Sequence, residues 1–322
     1  MPSPSTIAVT GASGFIGRAL VRALRALGDA ARPIVRVVDD RAPAGALSIQ
    51  RVLETPTLLA GCSALVHAAA VRHRYGVDVA TYRASNVDLA ERLLRAAAGQ
   101  VQRFVHVSSV GVYGFPELLP VHEGAPYAPR TLYSAMKVEA ELTLRRVAAS
   151  LGVDLVIVRP TITYGAGDDN GMLDKMARMI RSGVYRVVGD GTNALHHTHI
   201  DDMVTGILLA ATEPAAAGEH FILCGPETTT LAGLSELVAR AVGRPLSRVH
   251  VPLGFARGVA TAVDLAAYRG VAFTRREPPI NHEKLDVMTV PISFDGSKAG
   301  RLLGFAPRVS YEEGVSRTLR GS

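Results

Sequence analysis

The sequence predicts an α/β protein: a Rossmann-type doubly wound parallel sheet with a smaller mixed C-terminal substrate-binding part. Three observations carry that prediction. The stretch Thr6 to Gly17 runs from a short apolar segment into glycines at 11, 14 and 17, then into apolar residues at helical spacing. Short apolar, partly β-branched runs alternate with amphipathic helical stretches up to about residue 160, as βαβ units require. Tyr133 and Lys137 lie four residues apart, downstream of a serine pair that closes one of the apolar runs.

Ile7 to Val9 reads as the first buried strand, and Leu20, Val21, Leu24 and Leu27 mark the inner face of the first helix. In the turn between them, Gly11 permits the tight bend, Gly14 admits a pyrophosphate close to the backbone, and Gly17 lets helix and sheet pack closely. Residues Gly11, Ala12, Ser13, Gly14, Phe15, Ile16 and Gly17 form the candidate cradle, where a helix N-terminus offers unpaired N–H groups to phosphates. The spacing is GxxGxxG, against the more familiar GxGxxG.

Ile34 to Val38 reads as the second strand. Its end faces the adenosine ribose, where an acid suits a 2′-hydroxyl and an arginine a 2′-phosphate. Arg36 and the pair Asp39 and Asp40 compete for that role, and the reading leans to NADP through Arg36. A short third strand is expected at Ile49 to Leu53. Ala64 to Ala70 is a further strand whose small residues let a cofactor pass, with His67 either a core histidine or a cofactor neighbour. Thr81 to Ala98 is a long amphipathic helix with Asn86 towards the sheet end. Arg103 to Val107 is a strand delivering Ser108 and Ser109 to its carboxyl end, the edge where open α/β sheets bind ligands. Leu132 to Ala149 is helical, and Val153 to Val158 is a strand ended by Arg159-Pro160.

Past about Thr161 the alternation breaks down. Residues 1–165, with returning segments near 195–225, are assigned to dinucleotide binding; 166–194 and 226–322 are assigned to substrate binding. Gly165 to Gly171 is a turn, Met172 to Arg181 a helix, Tyr185 to Val188 strand-like, and Gly189 to Gly191 a second turn. Thr198 to Ile200 is a short strand before a helix capped by Asp201, with Asp202 beside it. Phe221 to Leu223 is a strand; Leu231 to Val242, Ser297 to Leu303 and Tyr311 to Leu319 are helices. Between 245 and 294, prolines interrupt apolar helical pieces. Those around Val251 to Phe273 suit either a lid over an apolar substrate or a plain core helix.

At 322 residues and 48% apolar composition the chain has ample core. Its net charge of +6 is scattered arginine without a basic run interleaved with aromatics, so no nucleic acid is expected as partner. No apolar run reaches the length of a membrane span. Cys62 and Cys224 are isolated, which suits a reducing compartment. The N-terminus enters a strand directly, without a signal-peptide pattern. A cytoplasmic protein is expected. His196, His197 and His199 supply at most two ligands on one strand face and no acidic third, so no metal site is assigned.

Tyr133 and Lys137 share a helix face. A lysine cation beside a tyrosine favours the phenolate and brings its acidity towards a useful range. The same ammonium can bond the hydroxyls of a nicotinamide ribose. With Ser109 on a preceding strand end, three groups converge on one C–O bond: the serine orients, the tyrosine moves a proton, the lysine tunes it.

These residues make the sequence similar to the extended short-chain dehydrogenase/reductase family, which includes the NAD-dependent epimerases and dehydratases. The matching segments are Thr10-Gly-Ala-Ser-Gly-Phe-Ile-Gly17, His67-Ala-Ala69, Ser108-Ser-Val-Gly-Val-Tyr-Gly114, Tyr133-x-x-x-Lys137 and Arg159-Pro160. Tyr164-Gly-Ala-Gly-Asp168, His199-Ile-Asp-Asp202, Ser297-Lys-Ala and Leu303-Gly-Phe-Ala-Pro307 follow in order. The resemblance implies NAD or NADP held by residues 10–17, with Arg36, His67, Ala68, Ala69, Ser108, Tyr133, Lys137, Arg159 and Pro160 around it. It also implies Ser109, Tyr133 and Lys137 as catalytic residues, and a homodimer through the helices at 81–98 and 132–149. In members acting on nucleotide sugars an arginine grips the diphosphate at the position of Leu195, so that charge-assisted contact is missing. Arg178, Arg181 and Arg186 are its possible substitutes. The tail from Arg275 to Asn281 and on to Lys298 is similar to the hydroxysteroid dehydrogenase and dihydroflavonol reductase-like branch, which works on apolar ketones and alcohols. The expected function is hydride transfer to or from a keto or secondary-alcohol carbon of a mostly apolar small molecule, with Tyr133 as general acid/base. The alternatives are a nucleotide-sugar epimerase or dehydratase retaining NAD, and a non-catalytic cofactor-binding protein.

Overall fold

The computed structural model describes residues 6–28, 30–40, 42–71, 77–168, 171–268 and 280–319. Elements follow in the order β1 (Thr6–Thr10), α1 (Phe15–Ala26), β2 (Ala30–Val35), β3 (Leu47–Ser48), α2 (Ile49–Glu54) and β4 (Cys62–His67). Next come α3 (Val79–Arg83), a π turn at Ala84–Asp88, α4 (Leu89–Ala97), β5 (Arg103–Val107), α5 (Leu132–Leu151), β6 (Asp154–Pro160), β7 (Ile162–Tyr164) and α6 (Met172–Arg181). The chain continues through β8 (Ala194–Leu195), β9 (His197–His199), α7 (Ile200–Thr212), β10 (His220–Leu223), β11 (Thr229–Thr230) and α8 (Leu231–Ala241). It closes with α9 (Leu253–Tyr268), α10 (His282–Thr289), α11 (Ser297–Leu303) and α12 (Tyr311–Leu319).

Seven strands form one sheet in the order β10-β6-β5-β4-β1-β2-β3, and every pairing is parallel. Both faces are covered, so the strands read as near-continuous apolar runs. Ile7, Val9, Val66, Val105, Val107 and Val158 pack with Leu20 and Leu24 of α1 and Met203 and Ile207 of α7. Ala8, Ile34, Leu65, Phe104, Leu155 and Ile157 pack with Leu93 and Leu94 of α4 and Leu144 of α5. The chain winds from β1 to β2 and β3, then returns to place β4 on the other side of β1. The crevice for a dinucleotide therefore lies at the carboxyl ends of β1 and β4. A second core joins Leu173 and Met176 of α6, Leu231 and Leu234 of α8, and Tyr311 and Val315 of α12.

Several boundaries differ from the sequence expectation, each for a local reason. The second strand is Ala30–Val35, four residues earlier at its start than expected; Val37 and Val38 lie beyond it, exposed. Because β3 pairs only with Ile34 and Val35, Arg32 and Pro33 occupy an open edge, where a proline is tolerated. The third strand is Leu47–Ser48, and Ile49–Glu54 is helical because the Ser48 hydroxyl accepts from the Arg51 N–H as an N-cap. The helix expected at 81–98 starts at Val79 after the Asp78 cap and contains a π turn. Tyr185 to Val188 forms no strand; Val188 makes a single bridge to Val251. His199, not Asp201, caps α7, accepting from the Asp201 N–H at 3.3 Å. Asp202 instead accepts from the backbone N–H groups of Arg308 and Val309, pinning the closing segment. Arg275 to Pro279 of the similar tail, residues 269–273 of the apolar stretch, and Asp169 and Asn170 of the turn lie outside the described residues. Among the described residues no helix is long and apolar enough to cross a membrane, and no metal-binding group of side chains occurs.

Candidate active site

The glycine turn is built by steric necessity. Gly11 has φ +68°, and a Cβ there would lie 2.8 Å from the Ala69 nitrogen, so the segment leaving β4 passes directly over the turn. A Cβ on Gly17 would sit 2.1 Å from the Gly11 carbonyl oxygen. The Gly14 N–H donates to that carbonyl at 2.8 Å and closes the turn. Helix α1 starts at Phe15 with no side-chain cap and no acidic residue in its first turn, while Ser13 and Gly14 are exposed. Its first N–H groups and positive dipole end thus face outward without an internal anion. This is a fit for a dinucleotide pyrophosphate. Arg36 follows directly on β2 and is exposed beside this crevice.

Three of the expected cofactor neighbours, His67, Ser108 and Arg159, have side-chain partners inside the protein. His67 is buried to 1% exposure, so its ring holds the site from behind. Its Nδ1 bonds the Thr10 hydroxyl at 2.8 Å across the β1–β4 pair, and that hydroxyl accepts from the Ala69 N–H at 3.3 Å. The arrangement presses Ala68 and Ala69 against Gly11. Thr10, included in the sequence reading only as the first residue of the segment 10–17, ends β1. Ser108 directs its hydroxyl hydrogen to Glu141 Oε1 at 2.5 Å and its N–H to the Val158 carbonyl at 2.7 Å. Arg159 has all five N–H donors engaged: by both carboxylate oxygens of Glu141, the hydroxyls of Tyr113 and Tyr127, and the Glu123 carbonyl. Its side chain has none left for a cofactor. Pro160 lies at the end of β6, buried.

The serine, tyrosine and lysine come from β5 and α5. Ser109 follows β5, and its Oγ accepts from the Gly111 N–H at 3.1 Å. A Cβ on Gly111 would lie 2.7 Å from the Ser134 hydroxyl, so this glycine lets the serine turn touch the first turn of α5. The Thr131 hydroxyl caps α5 by accepting from the Ser134 N–H at 3.0 Å, which sets Tyr133 in that first turn. Tyr133 is half-buried. The buried Lys137 ammonium lies 5.9 Å from the Tyr133 ring centroid and donates to the Val107 carbonyl at 2.7 Å. Burial pulls Lys137 down to about 8, an effect partly offset by Glu141. Beyond the chain end of Ala69, Asn86 clamps the backbone of Val71 through both its N–H and its carbonyl.

Buried histidines stand behind this centre. His67 and His106 are neighbours in the β4–β5 register and stack with ring centroids 5.6 Å apart. Burial, with the Lys137 charge nearby, pulls His67 down to about 3 and His106 well below 6.5. Burial likewise pulls His197 down to about 3. The unfolded chain therefore takes up protons below pH 6.5 where the native protein does not, and stability is lost as pH falls through that window. At pH 5.5 each such histidine is expected to cost about 1.4 kcal/mol relative to neutral pH. Urea midpoints at pH 7.5 and 5.5 check this, and equal midpoints would contradict it. His196 is occupied by the Gly225 carbonyl and the Phe294 N–H.

The parallel sheet, its switch point and the uncapped glycine turn define a dinucleotide-binding α/β protein. The sequence matches the NAD dependent epimerase/dehydratase family over residues 7–224, and the chain belongs to that family. It is 32% identical over 320 residues to a 4-hydroxy-2-methyl-3-oxo-4-farnesyl-3,4-dihydroquinoline-1-oxide ketoreductase of Stigmatella aurantiaca, covering 95% of this chain and 93% of the relative. It is 29% identical over 339 residues to a dTDP-glucose 4,6-dehydratase of Actinoplanes sp., covering 97% and 96%. Among solved structures, a short-chain dehydrogenase/reductase superfamily protein of Agrobacterium tumefaciens with bound NAD superposes with a TM-score of 0.74. That protein is 25% identical, and the match covers 98% of this chain and 97% of that one. The chain is an NAD- or NADP-dependent enzyme of the dehydrogenase/reductase or epimerase/dehydratase type.

Proposed function

We propose that the protein reduces a ketone, or oxidises the matching secondary alcohol, on a mostly apolar small molecule, with Ser109, Tyr133 and Lys137 as its catalytic residues. The observation that carries this reading is the joining of Lys137 to the end of β5 beside Ser109, with Tyr133 one turn away on the same helix. A bound nicotinamide supplies or accepts the hydride. Ser109 orients the substrate oxygen, Tyr133 gives it a proton or takes one from it, and Lys137 holds positive charge beside the phenol. Residues 10–17 hold the pyrophosphate, with Ala68, Ala69 and Pro160 lining the cofactor.

An apolar substrate is favoured by Leu195, which is buried among Leu173, Leu231 and Tyr311 at the position of the diphosphate-gripping arginine. Of the alternative arginines, Arg178 pairs with Asp174 on its own helix and Arg186 bonds the Gly183 and Tyr185 carbonyls. A relative acting on a farnesyl-bearing ketone supports the same choice. The remaining parts, 166–194 and 226–322, cover the substrate. The chain has no tryptophan, so nicotinamide fluorescence reports binding directly. Oxidation of the cofactor in step with loss of a long-chain or isoprenyl ketone is expected. Conversion of a UDP- or dTDP-sugar with no net cofactor oxidation would favour the epimerase or dehydratase alternative.

Within this reading NADP is preferred, because Arg36 stands where β2 ends and can pair with a 2′-phosphate. Arg36→Glu is expected to raise KM for NADPH by about ten- to a hundredfold, from the loss of one charge-assisted contact, and to spare NADH. Equal effects on both cofactors would contradict the preference. On this reading the enzyme is a cytoplasmic homodimer through the helices at 81–98 and 132–149, and a sedimentation mass of one chain would contradict that assembly.

A further inference from the structure

We infer that Glu141, held by Arg159, is a positioning residue of this active site, locking the serine-bearing end of β5 to the helix that carries Tyr133 and Lys137. The inference rests on the catalytic reading given above for Ser109, Tyr133 and Lys137.

Residues 133, 137 and 141 follow one another at four-residue spacing along one face of α5. Lys137 and Glu141 bond two consecutive residues of the neighbouring strand end. The ammonium takes the Val107 carbonyl at 2.7 Å, and the carboxylate takes the Ser108 hydroxyl at 2.5 Å. Ser109 is the next residue, so its position relative to Tyr133 is set by this double attachment. Glu141 is wholly buried and Arg159 nearly so, and their two-pronged pair is 2.6 Å at its shorter contact. Each carboxylate oxygen accepts twice: Oε1 from Ser108 and Arg159, Oε2 from Tyr127 and Arg159. Through Tyr113, Tyr127 and the Glu123 carbonyl, Arg159 also fastens the segment that leads from the serines into α5.

A buried ion pair of this kind rarely stabilises a fold more than apolar residues of equal volume would. What a fully satisfied network adds is direction. Every donor of Arg159 goes to α5 or to the segment leading from the serines into it, and the Ser108 and Tyr127 bonds tie Glu141 to that same stretch.

The network also has an electrical consequence. Glu141 lies one turn from Lys137 and opposes the effect of burial on the ammonium. The other titratable groups facing Lys137 are Tyr133 on its own helix, His67 on β4 and His106 on β5, and both histidines are neutral. Around Glu141 stand Arg159 on β6, Tyr113, Tyr127, and His220 on β10, which burial and Arg159 hold uncharged at about 4. Burial alone would push Glu141 up, but Arg159, with Ser108 and Tyr127, holds it below the ordinary carboxylate range. Removing its negative charge favours proton loss from both Lys137 and Tyr133.

The test compares Glu141→Gln and Ser108→Ala with the unaltered protein, measuring ketone reduction against pH. Glu141→Gln is expected to lower kcat by about tenfold or more and leave cofactor KM within about twofold. It should also move the basic limb of the profile down by about one pH unit. Ser108→Ala keeps the charge pair and removes only the attachment; kcat should fall by about tenfold with the basic limb unmoved. An unchanged kcat in Ser108→Ala overturns the inference, whether or not Glu141→Gln folds. So does a folded Glu141→Gln protein with the original pH profile. Activity retained in Tyr133→Phe would instead sink the catalytic reading, whereas an inactive Tyr133→Phe beside a normal Ser108→Ala sinks this inference alone.

Discussion

Replacing Tyr133 with phenylalanine is expected to lower kcat by about a thousandfold, some 4 kcal/mol of transition-state stabilisation, with cofactor affinity unchanged. The substitution removes one oxygen and leaves the ring, so packing of the first turn of α5 in the cluster that holds Tyr82 and Val87 is retained. Only the proton-carrying atom is lost. Lys137→Met should lose as much rate for a different reason, since it removes both the charge beside the phenol and the bond to the Val107 carbonyl. Nicotinamide fluorescence separates the two variants: Tyr133→Phe keeps full binding, and Lys137→Met loses part of it with the ribose contact. A Tyr133→Phe protein within tenfold of full activity would contradict the assignment of the phenol as acid/base.

The second large effect is at Gly17. An alanine there would normally favour the helix by about 1 kcal/mol. Here its Cβ would lie 2.1 Å from the Gly11 carbonyl oxygen and 2.6 Å from the Gly11 carbonyl carbon, both backbone atoms that cannot swing aside. Relieving that overlap drives α1 away from the turn at a cost of about 1–3 kcal/mol, which outweighs the propensity gain. It also takes the helix N-terminus off the pyrophosphate position. Gly17→Ala is therefore expected to lose nicotinamide binding by at least about a hundredfold, the scale of two charge-assisted contacts, while lowering the unfolding midpoint. For the unfolding midpoint alone, Gly14→Ala is the control, because its Cβ would approach the same oxygen only to 3.2 Å. Equally small falls in the midpoint at both positions would contradict the steric account.

The binding crevice was readable from the sequence because its requirements are local. A strand, three glycines and a helix in a row are legible together, and β1, α1 and the Gly14 and Gly17 contacts all lie within residues 6–26, although Gly11 also meets Ala69. The Tyr133 and Lys137 pair was legible for the same reason, through helix spacing. What lay hidden depends on contacts remote in the chain. Nothing local to Arg159, placed near the cofactor by family resemblance, shows that Glu141, Tyr113, Tyr127 and the Glu123 carbonyl use all its donors. For His67 the sequence left a core histidine and a cofactor neighbour both open, since its partner Thr10 is 57 residues away. Glu141 did carry a signal: it continues the Tyr133–Lys137 face by one more turn, and a carboxylate there has to be buried with a cation. The errors at β2 and β3 came from reading apolarity alone. Val37 and Val38 are apolar but lie outside the sheet, and the Ser48 cap turned a β-branched run into helix.

The central claim, that this chain carries a hydride between a nicotinamide and an apolar ketone under the control of Tyr133, is tested most directly by isotope transfer. The enzyme is incubated with NADPH deuterated at both C4 positions and a farnesyl-bearing ketone, and the product alcohol is examined by mass spectrometry. One deuterium on the carbinol carbon, with no product from Tyr133→Phe, is the expected result. An alcohol free of deuterium, or the same labelled product formed at full rate by Tyr133→Phe, would contradict it.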